Sequence, residues 1–334
     1  MVSPLYYQEF QTCRVVDKTF LRQRTQAISM RIRLGTRQSP LALWQANHIA
    51  TQLQEHGHQV ELVKITTSGD ISSTPLEKSG GVGVFTKEIQ RALLDDRCDL
   101  AVHSLKDLPT EAVPGLSIAA IPRREEAADC FLSEQIPSPS ELPSGARIGT
   151  GSPRRRAQIK RLYPEVELLD IRGNVDTRIR KMKEGSYDGI VLAYAGLHRL
   201  QLKDQIVHQF SLEEMIPAVA QAALGLETRS DDPALLDAII PLDHRETHLC
   251  VSLERSLLRT LRAGCLAPLA AHARFDNEYL RLSARVFSED YSEMIEEHWK
   301  WTVDRNARIE KAESLGMEAA HDLCELGADE MIRR

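Results

Sequence analysis

Aromatic residues are scarce, only 5% of 334, which argues against a stacking platform for single-stranded nucleic acid. Long apolar runs are missing too. The longest stretches, around Ile190–Leu197 and Ala112–Ile121, are short and interrupted, well under the ~18 residues a membrane helix needs. The six cysteines, Cys13, Cys98, Cys130, Cys250, Cys265 and Cys324, form no CxxC pair. A chain this long needs no disulfide staples, so reduced thiols in a cytoplasmic protein are expected. No HExxH order occurs. His244 and His248 stand four apart without a glutamate in second place, and they read as surface histidines with no metal to bind. Nor is there a basic excess: 42 Lys and Arg face 48 Asp and Glu, a net charge of −6. That disfavours a nucleic-acid partner unless the basic residues cluster.

The remaining composition is ordinary. Hydrophobic residues make up 42% and charged residues 27%, which fits a soluble globular protein of two or three domains. Residues 1–29 show no sustained periodicity and no signal-peptide core. Glu9 and Asp17 argue against an organellar transit peptide. Either this stretch is a tail outside the folded body, or translation begins at Met30.

Patterned sequence starts at Met30. Ile32–Leu34 alternates like a strand, Gly35–Gln38 reads as a loop, and Ser39 with Pro40 makes a helix start. Leu41, Trp44, Ile49 and Leu53 follow at helical spacing, and Val60–Thr66 is the next strand. The phrase then recurs. Arg147-Ile148 leads into Gly149-Thr150-Gly151-Ser152-Pro153, a helix to Leu162 and a strand at Val166–Asp170, with Gly35 and Gly149 114 residues apart. Two tandem α/β domains with a ligand cleft between them are expected. Further helices are predicted at Thr86–Asp95, Val175–Lys183 and from Gly196 to Leu200, and strands at Asp99–His103 and Gly189–Ala193. Beyond Asp231 the pattern changes. A long amphipathic helix at Thr247–Arg262, two strands near Leu280–Val286 and His298–Val303, and a helix from Ala307 to Leu326 suggest a small α+β domain.

Basic residues do cluster in one place. Between Arg147 and Lys183 there are eleven against four acids, a local surplus of seven, leaving −13 elsewhere. Arg154 and Arg155 begin the helix capped by Ser152, where free N–H groups and the helix dipole already favour anions. Guanidinium groups add bidentate recognition of carboxylate or phosphate. Arg37 adjoins the matching helix start. These three are read as anion ligands, and Arg180, Lys181 and Lys183 as a solvated face. Ala101–Asp107 is a buried strand ending in Lys106-Asp107, at the carboxyl end where α/β sheets bind ligands. Lys78–Gly83 is glycine-rich without the P-loop order, which leaves a mobile lid as its reading. Cys265 follows Gly264 in a loop near Arg262, a setting that favours an accessible, thiolate-prone cysteine.

Together these phrases are distinctive. From Met30 onward the chain resembles the hydroxymethylbilane synthase (porphobilinogen deaminase) family, through Gly35–Trp44 (GTRQSPLALW), Phe85–Glu88 (FTKE), Ala101–Pro109 (AVHSLKDLP), Gly149–Arg155 (GTGSPRR), Ile171–Asn174 (IRGN), Thr177-Arg178, Ala195–Leu197 (AGL) and Gly264-Cys265. The resemblance implies two α/β domains like type II periplasmic binding proteins plus a small C-terminal α+β domain. The implied division is 30–122 with 223–241, then 123–222, then 242–334. It further implies a transferase of porphyrin and haem biosynthesis, cytoplasmic and monomeric. Porphobilinogen loses ammonia, and a pyrrole chain grows into a linear tetrapyrrole on a dipyrromethane cofactor joined by a thioether to Cys265. Asp107 is then the catalytic acid. Cofactor binding falls to Cys265, Ser104, Lys106, Thr150, Ser152, Arg154, Arg155 and Arg172. Substrate binding falls to Arg33, Arg37, Ser39, Phe85, Arg178, Arg199 and Gln221.

The chain departs from the family at a few positions. Val82 stands where a lysine is usual, Ala220 and Ala222 replace glycines beside Gln221, Ala263 replaces a glycine before the cysteine, and Leu266-Ala267 replaces a more polar pair. An alanine forced to positive φ strains the backbone by about 1 kcal/mol or more. The acid, the thiol and the central arginines are all present, so an active enzyme is expected. The competing reading is a non-catalytic two-domain protein that binds anions or pyrroles.

Overall fold

The computed structural model describes residues 29–67, 86–264 and 267–333. The glycine-rich segment 78–83, Phe85 and Cys265 lie outside the described residues, as does 1–28.

The first lobe opens with β1 (Arg31–Thr36), α1 (Pro40–Glu55) and β2 (Gln59–Lys64), then α2 (Lys87–Leu94), β3 (Leu100–Ser104) and β4 (Leu116–Ala120). The chain crosses through 121–128 into a second lobe. There it forms β5 (Asp129–Leu132), β6 (Arg147–Gly149), α3 (Pro153–Leu162), β7 (Glu167–Leu169), α4 (Val175–Lys183), β8 (Gly189–Ala193), α5 (Tyr194–Arg199) and β9 (His208–Gln209). It returns through 210–223 to β10 (Leu224–Arg229) and α6 (Pro233–Ile239).

The sheet orders are β2-β1-β3-β10-β4 and β7-β6-β8-β5-β9. In each, three parallel strands are followed by an antiparallel one. That fourth strand is in both cases the one that has just arrived from the other lobe. The repeat seen in the sequence is therefore a repeat of topology. Both helix starts are built alike: Ser39 Oγ accepts from the Ala42 N–H at 3.3 Å and Ser152 Oγ from the Arg155 N–H at 3.4 Å, with proline next in each.

The third lobe consists of α7 (Arg245–Thr260), β11 (Leu269–Asp276), β12 (Tyr279–Phe287), β13 (Met294–Thr302), α8 (Ile309–Glu325) and α9 (Ala328–Arg333). Its antiparallel sheet has three strands, not the two expected. The missed strand, β11, begins Leu-Ala-Ala-His-Ala, and it lacks the β-branched residues that mark a strand. It nevertheless pairs with β12 along its whole length. Leu249, Leu253 and Leu257 of α7 are fully buried against the sheet and α8, each contributing about 2 kcal/mol relative to exposure. Gly316 lets the two helices touch: a Cβ there would lie 2.4 Å from the Leu253 carbonyl oxygen.

The lobes are fastened where the chain crosses. Arg124, in the first crossing, donates from Nε to the Gln221 carbonyl at 2.7 Å and from Nη1 to Glu254 of α7 at 2.6 Å. Glu254 also accepts from the backbone N–H groups of Ala220 and Ala273. Ala220 and Ala222 both sit at positive φ, 57° and 70°, so the strain expected there is present. In the loop before Cys265 it is Arg262, at φ 51°, that takes this conformation, and Ala263 does not. None of the described helices is long and apolar enough to cross a membrane.

Candidate active site

A cleft of about 400 Å³ lies between the first two lobes, at the carboxyl ends of their parallel strands. Seven cationic side chains line it: Arg37, Lys106, Arg154, Arg155, Arg172, Arg178 and Arg199. Among the described residues these are the cations of the cleft, and only two carboxylates, Asp107 and Asp176, join them. Ser39, Ser104, Ser152 and Gln221 also line it. Thr150 lies just behind the wall, where its hydroxyl accepts from the Ser152 N–H at 3.3 Å.

Asp107 ends a single 3-10 turn, Leu105–Asp107, that follows β3, and its side chain is open to the cleft. The turn is held from outside. Arg255 of α7 donates to the carbonyls of Leu108 and Pro109 at 2.9 and 2.8 Å. Lys106 keeps part of its surface in the cleft, but its ammonium is enclosed. That burial, with Arg155 alongside, lowers its pKa to about 8. It donates to Gln221 Oε1 at 3.3 Å.

The arginines are not alike. Arg154 and Arg155 are nearly buried, at 3% and 6% exposure, and both bind Asp129 of β5. Arg154 Nη1 donates to Asp129 Oδ2 at 2.7 Å and to the Ile216 carbonyl at 2.8 Å. Arg155 donates to Oδ1 from Nε and Nη2, and from Nη1 to the Val191 carbonyl. Burial alone would raise the pKa of Asp129, but the two guanidinium groups overcome it and hold the group well below the usual carboxylate range. Arg178 and Arg199 have pKa values lowered to about 10, chiefly by burial. Among the described residues neither has a carboxylate within ion-pair distance; Arg178 donates to the Gly173 carbonyl and Arg199 to the Ala222 carbonyl. Arg172 is held by Asp170 at 3.0 Å.

One expected ligand is elsewhere. Arg33 lies outside the cleft, where its N–H and guanidinium bind Asp99, which precedes β3. Arg147 binds Asp188, ahead of β8, through the same three groups. Arg33 is thus one of a matched pair of strand fasteners, and its place near the GTRQSP phrase misleads. Conversely, Asp129, Arg124, Glu254 and Arg255 were not anticipated. A signal existed for Asp129, an acid inside the apolar run Ala127–Leu132, where an unpaired charge does not survive. The other partners are brought in by long-range packing. Cys98 and Cys130 are buried, with thiols pushed up to about 11 and about 12, chiefly by burial. They are poor nucleophiles.

The donor set suits a polycarboxylate group. Seven cations face two acids, and the Nε–H of Arg154 is buried with no partner among the described residues. A bound carboxylate would satisfy such a donor.

Fold and site thus define a two-lobed α/β protein, with a third lobe bracing it, whose interlobe cleft is lined mainly by cations. Comparison with known proteins is narrower. Residues 32–237 match the family described as "Porphobilinogen deaminase, dipyromethane cofactor binding domain" and 248–325 match its C-terminal domain. The porphobilinogen deaminase of Chloroherpeton thalassium is 43% identical over 302 residues, 90% of this chain and 96% of that protein. That of Syntrophotalea carbinolica is 44% identical over 307 residues, 91% and 96% of the two chains. Among solved structures, the methionine-binding protein MetQ covers 62% of this chain and 89% of its own at 11% identity and a TM-score of 0.42, too distant to bear on chemistry. This chain belongs to the porphobilinogen deaminase family, transferases of tetrapyrrole biosynthesis built around a dipyrromethane cofactor.

Proposed function

We propose that this chain condenses porphobilinogen with loss of ammonia to give hydroxymethylbilane, and that the cleft residues divide the work as follows. Asp107 is the catalytic carboxylate. It accepts the pyrrole N–H of porphobilinogen and offsets the positive charge that grows on the ring as ammonia leaves. Arg37, Arg178 and Arg199, with Ser39 and Gln221, bind substrate carboxylates. Lys106, Arg154, Arg155 and Arg172, with Ser104, Thr150 and Ser152, bind those of the cofactor. Phe85 is assigned to the substrate, as the family resemblance implies. The dipyrromethane, joined by a thioether to Cys265, supplies the primer on which the chain is built. A thiol is the nucleophile this attachment needs.

The observation that carries this reading is the contrast, among the described residues, between seven cations and two solvent-open acids in a single interlobe cleft, of which Asp107 ends a turn at the carboxyl end of β3. Each porphobilinogen brings two carboxylates, so the charge suits the cargo. Sheet membership supports the division into 30–122 with 223–241, 123–222 and 242–334. Among the described residues, Cys98, Cys130 and Cys250 are free thiols, which supports a cytoplasmic location, and a monomer is proposed with it. The test is the intact mass of the purified protein. A two-pyrrole adduct is expected on the parent and absent from Cys265→Ser. An adduct mapped to any other cysteine refutes the assignment.

A further inference from the structure

Asp129 is fully buried and does not line the cleft, yet it touches three residues of the cleft wall. Besides Arg154 and Arg155, it accepts from Gln221 Nε2 at 3.0 Å. Gln221 also donates to the Ala127 carbonyl and accepts from Lys106. An unbroken chain of contacts therefore runs from the second-lobe arginines through Asp129 and the returning crossing to the residue beside Asp107 in the first lobe. We propose that Asp129 is a positioning residue: a buried carboxylate that aims Arg154 and Arg155 at the cleft and registers them, through Gln221, against the Lys106–Asp107 turn. The proposal rests on Arg154 and Arg155 holding carboxylates.

Three features argue that this cluster does more than hold the fold. First, the structural need could be met more cheaply, because a buried ion pair is often replaceable by apolar side chains without loss of stability. Second, the cluster leaves donors unspent. Arg155 has used one N–H from each of its nitrogens, so two more remain on its Nη atoms. Arg154 keeps a partnerless buried Nε–H. Asp129 thus fixes each guanidinium by some of its N–H groups and leaves others uncommitted. Third, Asp129 is one of the charges felt by Lys106. The groups facing that ammonium are Arg155 and Arg154, which lower its pKa, and Asp107 and Asp129, which raise it.

The experiment compares Asp129→Asn with the parent by two measurements. One is kcat/KM on porphobilinogen at equal adduct content, set by intact mass. The other is the pH dependence of Lys106 acylation by acetic anhydride, read by peptide mass in Cys265→Ser chains so that no adduct is present. The expected results are a fall in kcat/KM of about a hundredfold and a Lys106 midpoint lowered by about one pH unit. A midpoint equal to the parent's overturns the proposal whatever turnover does, and so does turnover within about twofold. If Asp129→Asn does not fold, Gln221→Leu decides, since it leaves the arginine–aspartate ion pairs whole and removes the bridge from Asp129 to Lys106. A fall of about tenfold in kcat/KM with the adduct retained, together with a shifted Lys106 midpoint, supports the registering role, and an unchanged value of either overturns it. Arg155→Leu separates this proposal from the reading beneath it. Full adduct and full turnover in Arg155→Leu would refute carboxylate binding by that arginine. An impaired Arg155→Leu beside an unimpaired Asp129→Asn would refute positioning alone.

Discussion

Leu100 of β3 and Gly189 of β8 hold the same place, each beside the matching residue of the strand that opens its repeat, Leu34 of β1 and Ile148 of β6. From there the two segments run in step towards the cleft. Ser104 corresponds to Ala193, Lys106 to Ala195 and Asp107 to Gly196. At the capped helices the contrast reverses. After Pro40 the first lobe has Leu41 and Ala42; after Pro153 the second has Arg154 and Arg155. One lobe thus supplies the acid and the other most of the positive charge. Neither is a complete site, so function depends on how the lobes are registered, and the crossings carry as much of the design as the cleft.

The sharpest way to break this comparison is at Asp107. Asp107→Asn keeps the size but replaces an acceptor with a group that also presents N–H donors to the pyrrole N–H. Losing one preorganised electrostatic group costs ~10²–10³ in rate. Asp107→Glu keeps the charge, displaced by a methylene, and should retain more activity than Asn. Turnover at equal adduct content measures both. If Asn matches the parent, the acting group is not in the first lobe's turn.

The next effect is one of pH and concerns Lys106, whose twin Ala195 cannot titrate. In the folded chain its pKa falls from 10.5 to about 8. Folding therefore disfavours the charged form. The lysine subtracts from stability below about pH 8, and that cost fades as the pH rises from 8 towards 10.5. Carboxylate binding runs the other way, because it needs the ammonium. Without the adduct, stability should rise across this window while uptake of the dipyrromethane falls. A bound carboxylate raises the pKa again, so the loaded enzyme's alkaline limb should lie above that of the adduct-free chain. Lys106→Met should abolish both trends. Parallel pH curves for Lys106→Met and parent would remove Lys106 from the account.

Legibility followed the range of the interactions. The duplicated strand–turn–helix unit could be read because capping and helical periodicity act over a few residues. The loop acid and the capped arginines were visible for the same reason. Arg33 was misread because its partner Asp99 lies 66 positions away, although the 114-residue offset of the repeat already matched it to Arg147 and not to Arg37. Asp129 had a local signal but no local partner. β11 was lost because its pairing, not its composition, makes it a strand. The Ala220 and Ala222 departures were legible as places of strain, whereas Arg262 was not, since nothing nearby in sequence marks a positive φ there.

The twin fasteners sharpen the comparison with a smaller effect. Arg33→Leu should lower the melting temperature by about 2–4 °C, discounted for partial exposure, and leave the adduct and turnover intact. Arg147→Leu should do the same. Asp99 and Asp188 are both held below their usual pKa, Asp99 despite its burial and Asp188 mainly through its hydrogen bond with Arg147. The stabilisation is therefore present above the ordinary carboxylate pKa and is lost as the pH falls through the depressed one. Parent and variants should converge in acid. A loss of adduct in Arg33→Leu alone would restore Arg33 to the substrate site.

The smallest effect is expected at the crossing, at Ala220. Three contributions compete in Ala220→Gly. Releasing an alanine from the left-handed region gains ~1–2 kcal/mol. Losing a methyl that is fully buried costs about 0.8 kcal/mol. The greater freedom of glycine in the unfolded chain costs about 0.5–1 kcal/mol more. The sum lies near zero, and chemical denaturation should find the variant within about 1 kcal/mol of the parent. The Ala220 N–H bond to Glu254, at 2.6 Å, survives the change, so the crossing keeps its anchor to α7. Turnover should survive as well. A gain above about 2 kcal/mol would mean that the strain is held for function, and turnover should then fall as stability rises. A loss of that size would mean that the methyl's packing against the third lobe, more than the Glu254 bond, holds the two lobes in register.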